Sequence, residues 1–466
     1  MSASTTSIGS SRGVSDIPGP AGGWLLGNAY DFRRDLLGTL TRGMHEYGDV
    51  VRFPAGPRNT RFRVQLVVLH HPRDVQQVLT QTEKTFTKDT VVFQAMAEML
   101  GKGLLTTVGD DWKRQRRIVQ PLFTPRHVEG YLTLMAEESA ALAAKAPADG
   151  SGVDLHLMMM RYALRVVGRA LFGDDIEDMV PVLDELVPEA SSITRRRMFT
   201  SFKTPLSWRS PTTRRARYLK ARQYQVVDEI LARSPAPGQP SYDEGRDDLV
   251  TRLRQATDPE TGGHVDEGEV RDQALIFLMA GHETTAGALT FTLHLLGRHP
   301  RVQDDVAGEA REVLGTGDTV TPEQLGRLVL TKAALQEGMR LFPSAHTTDR
   351  LTVEPVDVGG YRLPAGQQVL VSPWTTHRHP EIWPDPLRFD PQRFLGAADR
   401  PRYAYFPFGG GPRACVGEHF AMLEAVTLLA MLLRSRRVTA LRPDLPVAPN
   451  VTLRPVGAVP ASFETR

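Results

Sequence analysis

The chain of 466 residues sets 56 Lys and Arg against 54 Asp and Glu, a formal net charge of +2, with 41% hydrophobic and 24% charged residues. This near-balance excludes the broad positive field of a nucleic-acid binder, and the composition excludes a disordered, collagen-like or repeat-built chain. A single cysteine, Cys415, excludes an intrachain disulfide, a multi-cysteine zinc cluster and an iron–sulfur cluster held by the chain's own thiolates.

Residues 1–20 read as a flexible, polar, Gly/Pro-marked leader with no apolar run of signal-peptide length. No stretch of about 18 uninterrupted apolar residues follows, so a cytoplasmic protein without a membrane span is expected. The β-prone runs DVVRF (49–53) and QLVVLH (65–70), separated by the turn-rich PAGPRNTR, predict a small N-terminal-side sheet. From residue 72 to 299 the apolar spacing is helical, and its longest helix is expected from 268 to 300. Beyond residue 352 come short β-prone pieces among prolines, a helix at 417–433 and a β-rich tail. The Pro/Gly-rich stretches 235–240 and 380–391 lie inside patterned sequence and read as loops. The expected fold is therefore mainly α with minor β (α+β), with residues 21–466 as one domain.

Cys415 lies in FPFGGGPRACVGEHFA (406–421), a glycine-rich loop leading straight into a helix. Backbone N–H groups at a helix N-terminus favour a thiolate, the form that binds metal or attacks an electrophile. A small buried hydrophobe after a glycine turn is the plainer reading of a lone cysteine. The long helix contains AGHETTA (280–286), where Glu283 and Thr284 set an acid beside an alcohol in apolar surroundings. The pair suits a proton relay, with Ala280 and Gly281 leaving room for a small molecule; a solvent-facing kink is the alternative. Glu337 and Arg340 stand three apart on a helix ended by Pro343, and Arg393 sits in a proline-fixed turn able to complete a buried Arg/Glu/Arg network. Breaking such a network costs about 3–5 kcal/mol. In DDWKRQRR, Trp112 and Arg116 share a helix face from which both reach an anionic group, though an exposed basic helix explains them too.

In this order and spacing, Trp112-x-x-x-Arg116, AGHETT (280–285), Glu337-x-x-Arg340, Arg393 and Phe408-x-x-Gly411-x-Arg413-x-Cys415-x-Gly417 closely resemble the cytochrome P450 family of haem-thiolate monooxygenases. The resemblance covers the whole chain and implies a triangular, mostly helical single domain of the soluble bacterial type. It implies haem b with Cys415 as the axial thiolate. Arg116, Arg350 and Arg413 would bind the haem propionates with help from Trp112, and Ala280, Phe408, Gly411 and Gly417 would lie against the macrocycle. Glu283 and Thr284 resemble the catalytic acid–alcohol pair, and Glu337, Arg340 and Arg393 a structural triad. O2 would be the cosubstrate, with NAD(P)H electrons arriving through a separate ferredoxin and ferredoxin reductase, since no flavin domain follows the tail. A monomer is expected.

By the same resemblance, the substrate pocket includes Leu105, Ala280, Ala345, His346 and the tail near Val456. These mostly apolar or small residues suit hydroxylation or epoxidation of a terpenoid, fatty acyl chain or polyketide, with His346 either a polar contact or satisfied by backbone. Lys113, Arg114 and Arg117 read as a docking patch for an acidic partner or as a solvated face. The stretch 195–222, with ten basic and no acidic residues, reads as a lure for an anionic ligand or as solvated surface. Two rival functions are a haem-thiolate peroxygenase or ligand sensor, and a cysteine hydrolase pairing Cys415 with His419.

Overall fold

The computed structural model describes residues 12–60, 63–173, 177–198, 206–208, 210–233, 247–396 and 399–466. Backbone proximity divides the chain into two compact units. The first comprises Met1–Thr90, Thr347–Pro384 and Arg400–Arg413; the second comprises Val91–His346, Asp385–Asp399 and Ala414–Arg466.

The first unit is built on a five-stranded sheet ordered Val50–Ala55, Val64–Leu69, Gln368–Val371, Thr348–Thr352 and Phe86–Thr87. The two N-terminal strands pair antiparallel as the sequence leads one to expect, and Val64–Leu69 then pairs parallel with Gln368–Val371. The expected N-terminal-side sheet thus recruits strands from three hundred residues downstream, a pairing that local pattern cannot encode. Val67, Leu69, Val369 and Val371 are fully buried, and Ile17 joins their core at 1% exposure. Arg12–Gly13 pair parallel with Tyr361–Arg362. The expected leader is therefore tied to the unit from Arg12 onward, because Ile17 anchors it in apolar packing; residues 1–11 lie outside the described residues.

The second unit is organised around the helix Glu267–Arg298. Asp266 starts it: its side chain accepts the Glu269 N–H at 2.8 Å, and the Glu269 side chain reaches back to the Asp266 N–H. At 1.5 Å per residue its 32 residues span about 48 Å. Apolar residues such as Leu275, Leu278, Leu289, Phe291, Leu293 and Leu296 circle it and are buried, as befits a helix enclosed on all sides. Small residues set its close crossings. A Cβ on Gly281 would meet Val167 of the helix Leu155–Phe172 at 2.9 Å, and a Cβ on Gly338, in the helix Val329–Leu341, would meet Thr292 Oγ1 at 2.1 Å. Gly281 therefore serves helix packing, not the room for a small molecule that its sequence context suggests. The expected helix after Cys415 runs Glu418–Ser435. The β-rich tail forms a sheet of Arg436–Ala440, Pro460–Thr465 and Asp149–Asp154, plus a hairpin of Val447–Pro449 with Leu453–Pro455. Residues 235–240 lie outside the described residues.

Candidate active site

In the second unit, burial of the long helix is interrupted at its middle: Ala280 is exposed and Met279, Gly281 and Thr284 are partly so, while the turns on either side are closed. Three segments are tied to this helix or to one another near its middle. The Lys102 and Leu104 N–H groups donate to Asp272 Oδ2 (2.7 Å) and Gln273 Oε1 (3.1 Å), holding the segment that carries Leu105. Ser344 Oγ donates to the Thr284 carbonyl at 2.9 Å and fixes the stretch with exposed Ala345. The Leu453 N–H donates to the Ser344 carbonyl at 2.8 Å, bringing in the tail, where Val456 is 49% exposed. Ala280 lies between the attachments at Asp272/Gln273 and at Thr284, and the surfaces offered by Leu105, Ala280, Ala345 and Val456 carry no charge.

Thr284 Oγ1 donates to the Ala280 carbonyl at 2.6 Å, the back-bond typical of a helical threonine. Glu283 points elsewhere. It is buried, and one carboxylate oxygen accepts from Thr452 Oγ1 and from Arg454 Nε of the tail hairpin. Sequence reasoning missed both partners, because nothing in VTLRP distinguishes an arginine bound for a buried carboxylate. The Arg454 guanidinium is nearly buried, and its Nη2 has no hydrogen-bond partner among the described residues. It also acts on two histidines: burial first, then Arg454, pulls His156 down to about 4 and His282 down to about 3.

Cys415 sits deep among protein atoms and yet keeps an exposed face. Burial pushes its thiol up, the Gly417 N–H and the more distant Arg116 pull it down, and Glu418 adds to the rise. The helix N-terminus expected to favour the thiolate is present, but desolvation outweighs it in the protein alone; coordination to a metal would reverse the balance. Arg116 reaches the same segment, donating from Nη1 to the Ala414 carbonyl at 2.8 Å and from Nε to Gln120 at 3.0 Å. Trp112, one turn earlier on the helix Gly109–Val119, is buried.

Within the first unit, Arg350 is buried and donates to Thr82 Oγ1 (3.2 Å), Thr348 Oγ1 (2.9 Å) and the Asp349 carbonyl (2.7 Å). Burial draws its guanidinium down to about 10. Arg413 pairs with Glu83 at 2.6 Å. Lys88, unsuspected from sequence, is buried near both arginines, and burial followed by their charge holds it well below its usual value. Glu83 and Asp349 stand in this group with Lys88, Arg350 and Arg413. Phe408 is half-buried, and Gly411 has a specific packing reason: at φ +66° its absent Cβ would meet the Leu79 carbonyl oxygen at 2.1 Å.

The expected network of Glu337, Arg340 and Arg393 is assembled in the second unit. Arg340 Nε and Nη2 donate to the two oxygens of Glu337 at 2.6 and 2.8 Å with both side chains fully buried, and Arg393 lies 3.4 Å from Glu337. The Asp390 N–H adds a bond to Glu337, and Arg340 donates to the Pro386 and Arg388 carbonyls.

Cys415 keeps an accessible face, and no cluster of three His, Cys, Asp or Glu able to hold a metal ion is found among the described residues. A family model described as Cytochrome P450 matches residues 17–456. The chain belongs to the cytochrome P450 family. It is 35% identical over 415 residues to the cyclooctat-9-en-7-ol 5-monooxygenase of Streptomyces melanosporofaciens, covering 88% of this chain and 86% of that protein. Cyclooctatin synthase from the same organism is 35% identical over 89% of this chain and 88% of its own. Pentalenene oxygenase of Streptomyces avermitilis is 34% identical over 93% and 92%. This P450 is thus a monooxygenase of the family whose members use haem-thiolate iron and O2, and among the described residues no helix is long and apolar enough to cross a membrane.

Other expectations change in this P450. His346 is buried, burial pulls it down to about 4, and its Nε2 is bonded to the Asn450 carbonyl at 3.0 Å, the backbone-satisfying alternative of the two expected. The proposed docking cations are matched by acids: Lys113 with Asp110, Arg114 with Glu269, and Arg117 with Asp258 and Glu260. In the basic stretch, Arg197 pairs with Glu98, Arg215 with Glu189 and Arg222 with Glu229, while residues 199–205 and 209 lie outside the described residues. His419 faces Glu129 at 4.0 Å and shows no hydrogen bond to Cys415 among the described residues, so the hydrolase pair is not formed.

Proposed function

We propose that this P450 hydroxylates or epoxidises a polycyclic terpenoid, using electrons delivered by a ferredoxin and its reductase. The observation that carries this reading is the exposure of uncharged Ala280 in mid-course of an otherwise buried helix, with the segments that carry Leu105, Ala345 and Val456 hydrogen-bonded to that helix or to one another. Such walls recognise a ligand by shape and apolar area, at about 25 cal/mol per Å² removed from water. The names of its relatives, which act on cyclooctat-9-en-7-ol and pentalenene, favour a terpenoid over a fatty acyl chain or polyketide.

Haem b, when bound, supplies the iron that activates O2 for transfer of one oxygen atom. Cys415 is the proposed axial ligand, with Ala280, Phe408, Gly411 and Gly417 against the macrocycle. Arg116 with Trp112, and Arg350 and Arg413, are the proposed partners of the propionates. Thr284 holds a proton at Oγ1, where its back-bond to the Ala280 carbonyl must be exchanged for a bond toward the opening before that proton is of use. Glu283, a carboxylate while it is paired with Arg454, would have to leave Thr452 and Arg454 and take up a proton from solvent before it could pass one on to Thr284. Glu337, Arg340 and Arg393 hold the fold and take no part in the reaction.

The test is a spectral titration of the ferric enzyme with cyclic terpene hydrocarbons and alcohols beside fatty acids and hydrophilic compounds of similar size. Terpenes alone should displace the Soret band at low concentration; response only to hydrophilic ligands contradicts the assignment. Cys415→His should lose the strongly red-shifted Soret band of the reduced carbon monoxide complex, and an unaltered band removes Cys415 as the ligand.

A further inference from the structure

Glu283 is shut away from solvent, and three nitrogen-bearing side chains gather near it where the long helix packs on the helix Leu155–Phe172. They are His156 in the first turn of that second helix, His282 beside Glu283, and Arg454 of the tail hairpin. Arg454, 8% exposed, spends Nε on Glu283, and its buried Nη2 meets no acceptor among the described residues. His282, 1% exposed, is bonded to the Met160 backbone, and its buried Nε2 is likewise unmet among the described residues. The Met160 N–H lies inside its own helix, so the His282 bond goes to the carbonyl; the ring proton sits on Nδ1 and Nε2 is an acceptor. A buried donor and a buried acceptor are thus both in want of a partner, each at the cost of its desolvation.

Of these residues and Glu283, His156 alone is partly open to solvent. Its Nδ1 lies 3.2 Å from Thr290 Oγ1, whose own hydroxyl is committed to the Ala286 carbonyl at 2.6 Å. Nδ1 is therefore the donor, which leaves Nε2 a bare acceptor. The neighbouring acid, Asp154, is otherwise engaged: its Oδ1 accepts the N–H groups of His156, Leu157 and Val459. The groups lie within electrostatic reach of one another. Arg454 bears on both histidines, His156 on His282, and Glu283 on His156.

We propose that this cluster holds a short file of water through which protons pass from solvent at His156 to Glu283, with His156, His282 and Arg454 as its positioning residues. The inference rests on the reading of Glu283 as the acid that serves Thr284. Arg454 Nη2 donates to water while Nε2 of each histidine accepts from it, and a donor with two acceptors is the kind of polar lining a buried water requires. Burial and Arg454 keep both histidines uncharged at neutral pH, so they order the water without trapping the proton. The inner end of the file meets Glu283 as it leaves Thr452 and Arg454. One proton enters at the solvent end and one leaves onto the carboxylate, so the file changes only in the direction of its hydrogen bonds.

The experiment has two readouts on the haem-loaded enzyme. A high-resolution crystal structure should show ordered water within about 3.2 Å of Arg454 Nη2 and of His282 Nε2, and should lose the outermost water in His156→Phe. Dry surroundings at both atoms overturn the proposal. Turnover is then followed in light and heavy water with pentalenene as the probe. His156→Phe should slow product formation about tenfold at unchanged KM and raise the solvent isotope effect, while His156→Gln, which keeps an acceptor, should restore most of the rate. An unchanged carbon monoxide spectrum of each variant establishes that it is folded. If Glu283→Gln slows turnover but His156→Phe alters neither rate nor isotope effect, the inlet is refuted and the role of the acid stands. If Glu283→Gln itself changes nothing, the reading of the acid fails and the inlet fails with it.

Discussion

Thr284 and Glu283 are adjacent in sequence and divergent in structure, because successive residues of a helix point about 100° apart. Thr284 faces the opening and Glu283 faces the tail. If Thr284 Oγ1 is where the proton waits, Thr284→Ala should load haem normally while product per NAD(P)H falls at least about tenfold and hydrogen peroxide rises in its place. Parallel assays of cofactor consumption, peroxide and product read this directly, and unchanged coupling removes the role. The Glu283–Arg454 pair makes a second prediction at this scale. Arg454→Gln strands a buried carboxylate and should cost about 3–5 kcal/mol in denaturant unfolding, whereas the double variant with Glu283→Gln should recover part of that loss. Additive losses would show that the pair does not couple. The AGHETT motif makes the acid legible in the sequence, but its partners are not, since they arrive from 170 residues later.

At the scale of elements, the helices follow from apolar spacing and caps, and their contacts from small residues. Gly338 lets the helix Val329–Leu341 approach the long helix so closely that Thr292 Oγ1 occupies the place of a side chain. Gly338→Val should therefore destabilise the protein by about 1–3 kcal/mol through overpacking, measurable by chemical denaturation. A variant as stable as wild type would mean that the helices separate at little cost. The same logic corrects the reading of Gly281: a glycine beside a functional motif suggests room for a ligand, while the neighbour that uses the room is Val167.

Over the whole molecule, buried titratable groups set the response to acid. Burial holds His70 and His282 near 3, and His156 and His346 near 4, well below the ordinary 6.5. Below pH 6.5 the unfolded chain binds protons that these folded sites refuse, so stability falls as pH falls, until the folded values are reached. Each contributes up to about 1.4 kcal/mol per pH unit. Asp349, Glu418 and Glu424, raised by burial, act with the opposite sign, but five histidines, His294 also being held down to about 4, outweigh three acids. The denaturation midpoint should therefore be lower at pH 5 than at pH 7. A flat or inverted profile would show that the histidines are charged in the folded protein.

The sequence by itself determined what is local and ordered along the chain: the helices, the first two strands, the loop that places Cys415 before a helix, and the spacing of motifs that names the family. Glu337 and Arg340 were legible because one helix turn joins them. Only the tertiary structure decided which charges neutralise which. It gave Glu283 to Arg454, Arg413 to Glu83, the docking cations to Asp110, Glu269 and Asp258, and His346 to a backbone carbonyl. It also inserted Gln368–Val371 beside Val64–Leu69 and left Trp24, Leu25 and Leu26 at the surface. The physical reason is common to all of these. Periodicity and capping act over a few residues and are written in residue type, whereas ion pairing, strand order and burial depend on which distant segments meet, and a lone arginine, strand or apolar triplet carries no mark of its partner.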